Sequence, residues 1–154
     1  MNSRYPILVF VVLISACQGN KQSSESPHDK LQGSWQLVYA ASIKKDTTIR
    51  NDPPGTKMIK ILNRTHFAFL QHTLDKKDTT GIYGSGGGTY ILKDSTYTEH
   101  LEFCTYRSYE GNDFEFTIRF SGDTLIQSGV EKLADFGIAA ENVGLIEKYI
   151  RIKD

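Results

Sequence analysis

Glu99 is the polar residue of this chain whose position most invites chemistry. It lies in the segment YTEHLEF, where Tyr97 and Phe103 alternate with polar residues, so an extended strand would turn Glu99 inward beside them. A buried carboxylate needs a partner, and without one its pKa rises. Two interpretations stay open: Glu99 holds the polar group of a ligand in a cavity, or it pairs structurally with an inward-facing group such as Tyr149 or Arg151.

The histidines offer a second possible chemistry, which is metal binding. His66, His72 and His100 show no known zinc-ligand spacing. On one strand, His66 and His72 would lie about 20 Å apart at roughly 3.3 Å per residue. No nucleophile, base and orienting group form a visible catalytic motif. We therefore predict no catalytic residues, no metal and no cofactor, and hence a protein that is not an enzyme.

The glycine-rich run at 84–88 (GSGGG) invites a phosphate-loop interpretation that its neighbours do not support. No Lys-Ser or Lys-Thr pair follows it, and the next residues, TYILKD, have the pattern of a strand rather than a helix. We predict instead a bend or bulge at the edge of a barrel, where glycine permits sharp coiling.

The N-terminal segment has the pattern of a signal sequence. Residues 5–16 carry no charge, and they are fewer than the roughly 20 apolar residues that a spanning helix needs. The sequence ISAC, ending at Cys17, resembles the lipobox of bacterial lipoproteins. The resemblance implies a signal peptide over residues 1–16 and a lipid on Cys17 that anchors the chain to a membrane surface. The alternative is an ordinary cleaved signal with a chance cysteine.

The residues after Cys17 extend this interpretation. Gln18 rather than Asp follows Cys17, and by resemblance to Gram-negative lipoproteins this implies the outer membrane, with its periplasmic and surface faces both open. Residues 17–29 then form the lipidated cysteine and a polar tether, and the folded domain spans residues 30–154. Lipidation would leave Cys104 without a partner for an internal disulfide, and we expect it half-buried in a strand.

Length and charge set the remaining bounds. The 154 residues are enough for one domain. With 18 basic and 18 acidic residues, the formal net charge is zero. Such a chain has no global electrostatic footprint for a polyanion, so we predict no nucleic-acid partner.

Period-two alternation of apolar and polar residues dominates the rest of the chain. In the segment FEFTIRF at 114–120 every second residue is apolar, which predicts a half-buried strand. Similar patterns, separated by turn residues, predict about eight strands at residues 34–40, 57–63, 65–72, 88–92, 97–104, 114–120, 124–129 and 146–153. Because the links are mostly short, we predict an all-β fold, an eight-stranded antiparallel up-and-down barrel, with a β-sandwich as the alternative.

One segment, at 131–142, breaks the alternation. Leu133, Phe136 and Ala140 recur there at helical spacing, which predicts a short helical segment or a structured loop before the last strand. Gly137 weakens the helical interpretation, because glycine disfavours helix interiors.

A family resemblance rests on the two ends of the predicted barrel. Gly33 and Trp35 at the start of the first strand, with Arg151 near the end of the last, resemble the signature of the lipocalin and wider calycin family. The runs GGGTY, YTE and FEF are similar to those of small envelope lipoproteins with lipocalin-like domains of unknown function. The resemblance covers roughly residues 31–153. It implies a lipocalin-like barrel in which Arg151 contacts the face of Trp35, a cation–π interaction worth about 0.5–2 kcal/mol.

The last strand presents a conflict between two arguments. By apolarity alone it would bury Ile146, Ile150 and Ile152. The family resemblance instead turns Tyr149 and Arg151 inward. Both faces of the strand could also be covered.

The interior of an eight-stranded barrel is either plugged by side chains or able to hold one small ligand. The residues that we expect to line it are Tyr39, Phe67, Phe69, Tyr90, Tyr97, Glu99, Phe103 and Phe116. We predict a lipid-anchored, non-enzymatic envelope protein that binds a small apolar or amphipathic ligand. The alternative is a structural lipoprotein with a filled barrel, which contacts another envelope protein through residues 131–142 and the loops. A third possibility, an enzyme, would rest on Glu99 and the histidines alone.

Overall fold

A computed structural model describes residues 26–52 and 54–153 of the chain. The predicted signal peptide, Cys17 and most of the predicted tether lie outside the described residues. The elements, in chain order, are the helix α1 Pro27–Leu31, the strands β1 Gly33–Lys44, β2 Thr47–Arg50, β3 Thr56–Leu62, β4 His66–Thr73, β5 Tyr83–Lys93 and β6 Thr96–Cys104, a 3-10 turn Arg107–Tyr109, and the strands β7 Asp113–Ser121, β8 Thr124–Glu131 and β9 Val143–Arg151. Helix α1 begins three residues before the predicted domain start, and Ser26 caps it.

The strands form one closed antiparallel sheet. Each strand from β3 to β9 pairs with its neighbour in the chain, β3 pairs with β1, and β9 pairs back with β1. Eight strands thus close an up-and-down barrel, and the short β2 extends the end of β1 through a tight hairpin. The predicted all-β, eight-stranded barrel is confirmed, whereas the extra strand β2 was not predicted.

Helix α1 seals the end of the barrel where β1 begins and β9 ends, here called the closed end. Leu31 is buried there, and its carbonyl accepts a hydrogen bond from the indole Nε1 of Trp35 at 2.9 Å. The guanidinium of Arg151 lies 4.3 Å from the ring centroid of Trp35. It also donates hydrogen bonds to the carbonyls of Gln32, at 2.7 Å, and of Lys30. Arg151 therefore joins the last strand to both the helix and the first strand.

Gly33 makes this arrangement possible. Its φ is +127°, a conformation that L side chains rarely adopt, and a Cβ there would lie 2.5 Å from Nη1 of Arg151. Any larger residue would push the guanidinium off Trp35.

Two β-bulges change which side chains point inward. In β1 the register with β9 shifts between Leu37 and Tyr39, and in β6 the register with β5 shifts beside Gly88. Each extra residue reverses the alternation beyond it. Phe103 is therefore 69% exposed on the outer wall, and Tyr39 lies outside against the cations of Arg50 and Lys148. The prediction that Tyr39 and Phe103 line the interior is wrong for this reason.

The conflict in the last strand is resolved in favour of the family resemblance. Tyr149 is fully buried, whereas Ile150 and Ile152 are exposed on the outer wall. Because β9 pairs on both sides and keeps a regular alternation with β8, Leu145 and Glu147 turn inward with Tyr149.

The segment between β8 and β9 is a loop of turns rather than a helix. Gly137 has a φ of +70°, which is incompatible with a right-handed helix, so the turn that begins at Lys132 ends there. The loop folds back over the barrel: Leu133 is buried, and the ring of Phe136 meets Phe114 edge-on at 5.5 Å. The helical part of the prediction is wrong, and the structured-loop alternative describes the segment. Among the described residues, no helix is long and apolar enough to cross a membrane.

Candidate ligand-binding cavity

The barrel interior is divided into a filled half and an open half. In the closed half, next to α1, rings and aliphatic side chains pack closely around Trp35, Phe67, Tyr90 and Tyr97. A cavity of about 310 Å³ occupies the other half. Its outermost lining residues, Asn51, Ser85, Thr105, Tyr106 and Glu131, stand at or just beyond strand ends, so it opens at that end, here called the mouth.

The floor of the cavity is a buried polar network. The ammonium Nζ of Lys60 lies 2.6 Å from Oε1 of Glu99 and donates a hydrogen bond at 2.9 Å to Oε1 of Gln127. Lys60, Glu99 and Gln127 are only 3%, 7% and 2% exposed. Buried charges are tolerated when they are paired and hydrogen-bonded in this way.

Aromatic rings surround the ammonium of Lys60. Its Nζ lies 5.4 Å from the ring centroid of Tyr149 and 5.7 Å from those of Phe67 and Tyr97. These distances fit cation–π attraction, which strengthens in a desolvated site. The network therefore holds the boundary between the filled and the open halves in one arrangement.

The partner of Glu99 differs from the expected ones. We expected Tyr149 or Arg151, but Arg151 lies at the closed end and the partner is Lys60. The hydroxyl of Tyr149 instead donates a hydrogen bond at 2.6 Å to Oε2 of Glu147. Glu99 thus pairs with Lys60 and also lines the cavity. The structural interpretation applies with a different partner, and the interpretation that Glu99 holds a ligand stays a prediction.

Two further carboxylates, Glu131 and Glu147, line the cavity. Burial raises the pKa of Glu131 to about 7, and repulsion from Glu147 and Glu99 adds to the rise while Lys60 opposes it. Burial also raises the pKa of Glu147, opposed by Lys60 and by the hydrogen bond from Tyr149. The pKa of Tyr149 is held well above 10, first by burial and then by Glu147.

The hydroxyl of Tyr97 is an unsatisfied group at this floor. Tyr97 is 1% exposed, and its hydroxyl has no hydrogen-bond partner of normal geometry among the described residues. Burial raises its pKa well above 10, and the carboxylates of Glu99 and Glu147 raise it further, which places the hydroxyl close to them. A buried polar group without a partner costs stability, so this one invites a ligand or water.

The aromatic lining depends on one glycine. A Cβ on Gly86 would lie 2.6 Å from the ring of Phe69, so glycine lets this ring lie flat against the wall of β5. Phe69 can then line the cavity instead of crossing it.

The predicted lining residues fall into three groups. Phe69, Glu99 and Phe116 line the cavity. Phe67, Tyr90 and Tyr97 pack in the filled core, where the hydroxyl of Tyr90 donates to the carbonyl of Asn63 at 2.7 Å. Tyr39 and Phe103 lie outside the barrel wall, as described above.

Three histidines lie at the surface, and the second cysteine lies in the cavity wall. His66, His72 and His100 are exposed, and Nδ1 of His100 lies 2.7 Å from a carboxylate oxygen of Asp113 on the outer wall. Within residues 26–52 and 54–153, no three His, Cys, Asp or Glu side chains could together hold a metal ion. Cys104 is a half-buried free thiol in the cavity wall.

Comparison with known proteins places the chain in a family. The model of a domain of unknown function, DUF4488, matches residues 30–154. The chain belongs to the DUF4488 family. Among solved structures, it is similar to a lipocalin-like protein from Bacteroides uniformis ATCC 8492, with 17% identity, a TM-score of 0.49, and coverage of 80% of this chain and 99% of the other. A second similar structure, an uncharacterized protein from Bacteroides eggerthii DSM 20697, has 14% identity, a TM-score of 0.44 and coverage of 77% and 98%. No curated protein matches the chain.

Several residues that line the cavity of this DUF4488 domain were not among the predicted ones. The sequence does indicate that Lys60 faces inward, because Met58, Lys60 and Leu62 lie on the same face of the strand. Glu131 and Glu147 gave a weaker indication, since each lies two residues from an apolar residue that was predicted to pack, Leu133 and Tyr149 respectively. Their convergence depends on closure of β8 and β9 into the barrel.

Proposed function

We propose that this protein binds a small amphipathic ligand in the cavity at the mouth of the barrel. The observation that carries the proposal is the half-filled interior: about 310 Å³ is left open above a solid floor. That volume lies at the lower end of the range of about 300–1,000 Å³ typical of small-molecule sites. Small inward-facing residues, Ala40 and Gly84, leave the space free.

The lining supports a ligand with both apolar and polar parts. Leu37, Met58, Phe116 and Leu145 supply apolar walls, and the Lys60 network supplies a polar floor. Mostly apolar walls with a few fixed polar groups are typical of sites that orient one small molecule. The ligand's apolar part would displace water from the walls, and its polar part would meet the buried charges.

The loop between β8 and β9 favours this proposal over a purely structural role. In the alternative, its apolar residues would contact another envelope protein. In the structure, Leu133 is buried and Phe136 and Ile138 pack against the core. These side chains are therefore largely withdrawn from a protein partner.

Methyl NMR can test the proposal. The purified protein, labelled at Ile, Leu and Met methyls, would be titrated with octanol and separately with octyltrimethylammonium. We expect at least one probe to give saturable shifts at Leu37, Met58 and Leu145. Methyls of Leu70 and Ile91, exposed on the outer wall, should not respond. Shifts confined to the outer wall, or no saturable shift with either probe, would contradict the proposal.

We also propose that the protein is a lipoprotein of the outer membrane, anchored through Cys17. The support is the ISAC sequence, the Gln at position 18 and the polar run that follows. The mass of the denatured protein purified from its own cells tests this: the chain should begin at Cys17 and carry acyl groups. An unmodified chain would refute the anchor and leave the cavity proposal standing.

A further inference from the structure

Acidic side chains outnumber basic ones in the lining of the cavity. Its lining includes three carboxylates, those of Glu99, Glu131 and Glu147, but one cationic side chain, Lys60. Lys60 already forms an ion pair with Glu99 at 2.6 Å and donates a hydrogen bond to Gln127 at 2.9 Å. Two carboxylates therefore remain without a cation of their own.

The two remaining carboxylates differ from ordinary surface acids. Glu147 accepts one hydrogen bond, from the hydroxyl of Tyr149, and forms no ion pair with the described residues. Glu131 forms neither a hydrogen bond nor an ion pair with them, although it is only partly exposed. Holding such groups in a partly desolvated site costs free energy that a partner would recover.

Each of these carboxylates lies beside an aromatic ring of the lining. Tyr149 is hydrogen-bonded to Glu147, and Tyr109 is close enough to Glu131 for the carboxylate to raise its pKa. A carboxylate together with an aromatic ring is a combination that attracts organic cations. A ligand cation here would meet both groups at once.

The buried hydroxyl of Tyr97 gives a second, independent indication of a missing group. It is only 1% exposed and makes no hydrogen bond of normal geometry with the described residues, and it lies close to two of the three carboxylates, those of Glu99 and Glu147. A hydroxyl oxygen is an acceptor that an ammonium N–H or a bound water can satisfy. The hydroxyl thus lies beside Glu147, one of the two carboxylates without a cation of their own.

We infer that the ligand of this cavity is an organic cation, an amine or quaternary ammonium with an apolar body, whose charge lies between Glu131 and Glu147. This inference rests on the proposed function and names the ligand class. An anionic ligand would be repelled by two carboxylates and would have to break Lys60 away from Glu99. A neutral ligand would leave both carboxylates uncompensated.

Three octyl compounds of equal chain length test the inference. Octyltrimethylammonium, octanol and octanoate would be titrated into the purified protein at pH 8 by calorimetry. We expect the cation to bind at least about tenfold more tightly than octanol, from Coulomb and cation–π attraction together, and octanoate to bind weakest. Glu147→Gln and Glu131→Gln should each reduce the preference for the cation over octanol. Glu115→Gln, an exposed acid on the outer wall, should not.

The pH dependence provides a readout that a merely structural role would not give. Glu131 is faced by Glu147, Glu99, Lys60 and Tyr109, and its pKa is raised to about 7. Because the cation binds the ionised carboxylates, its affinity should fall between pH 8 and pH 6, and proton release should accompany binding near pH 7. The charge of octyltrimethylammonium does not change over this range.

The outcomes separate the two proposals. Equal affinities for the cation and octanol, with no effect of either glutamate variant, would overturn the cation inference while leaving ligand binding intact. No binding by any of the three compounds would count against the inference and the proposed function together. Tighter binding of octanoate would overturn the inference and point to Lys60 as the recognition group.

Discussion

At the scale of single residues, the cavity carries a stability cost that is concentrated in its unpaired acids. The pKa of Glu131 is raised to about 7 in the folded chain, mainly by burial. Its ordinary value in an unfolded chain is about 4.3. A carboxyl group with a raised folded pKa stabilises the fold below the unfolded value, and this contribution is lost as the pH rises towards 7. At neutral pH, ionisation of Glu131 therefore lowers the stability of the folded state.

Replacing this acid should stabilise the protein in a pH-dependent way. We expect Glu131→Gln to raise the free energy of unfolding by about 1–3 kcal/mol at pH 8, with little change at pH 4. Urea unfolding at the two pH values would measure this, with Glu115→Gln as the exposed control. A loss of stability at pH 8, or the same gain at both values, would show that ionisation of Glu131 is not the source of the cost.

At the scale of elements, the bulge in β6 decides which residues reach the cavity. Gly88 pairs with Leu101 while Gly87 pairs with Phe103, so Glu102 is the extra residue. A Cβ on Gly88 would lie 2.0 Å from the carbonyl oxygen of His100, which no real contact permits. Glycine at this position is what allows β5 and β6 to approach across the bulge.

A pair of glycine variants in the same strand isolates this requirement. Gly88→Ala should lower the free energy of unfolding by at least about 2 kcal/mol, because the backbone must move to admit the methyl group. Gly84→Ala should change it by less than about 1 kcal/mol, since a Cβ there meets only Oε1 of Gln71 at 3.8 Å. Equal effects in urea unfolding would show that the close approach at Gly88 does not limit stability.

The same elements show what the sequence could and could not predict. Alternation identified the barrel strands because each keeps one face buried. The glycine run correctly indicated a bulge, although the run lies within β5 and the extra residue, Glu102, is in β6. Phe103 and Tyr39 were placed wrongly because a period of two assumes an unbroken register, and a bulge leaves no mark in the apolar pattern. The pairing of Glu99 with Lys60 joins residues 39 positions apart, so only the closed sheet brings them together.

At the scale of the whole molecule, the barrel has two different ends. At the closed end, α1 is held to Trp35 and Arg151. The cavity opens at the mouth. The number of aromatic residues in the sequence is compatible with both a filled and an open interior. It does not say how many of the rings lie at each end of the barrel. In the structure, Trp35 lies at the closed end beneath α1, whereas Phe69 and Phe116 line the cavity.

The difference between the two ends of the barrel matters for the proposed lipid anchor. The described chain enters the barrel at the closed end, through Ser26 and α1. With an anchor at Cys17, the chain would reach the membrane from the end opposite the mouth. The cavity would then be accessible from the aqueous side of the membrane surface, as a carrier of a small amphipathic cation requires.

The central claim is that the open half of the barrel holds a ligand, and native mass spectrometry tests it most directly. The protein would be purified from its own cells, and native spectra would be compared with denatured ones. Gly84→Phe adds a ring to the cavity wall at a position with local room for a Cβ, and Thr117→Phe adds the same bulk to the exposed outer face of β7.

We predict a bound small molecule of defined mass that is lost on denaturation. It should be present in the wild-type protein and in Thr117→Phe, and absent from folded Gly84→Phe. A bare mass in the wild-type protein, or a bound molecule that Gly84→Phe retains, would contradict ligand binding in this cavity.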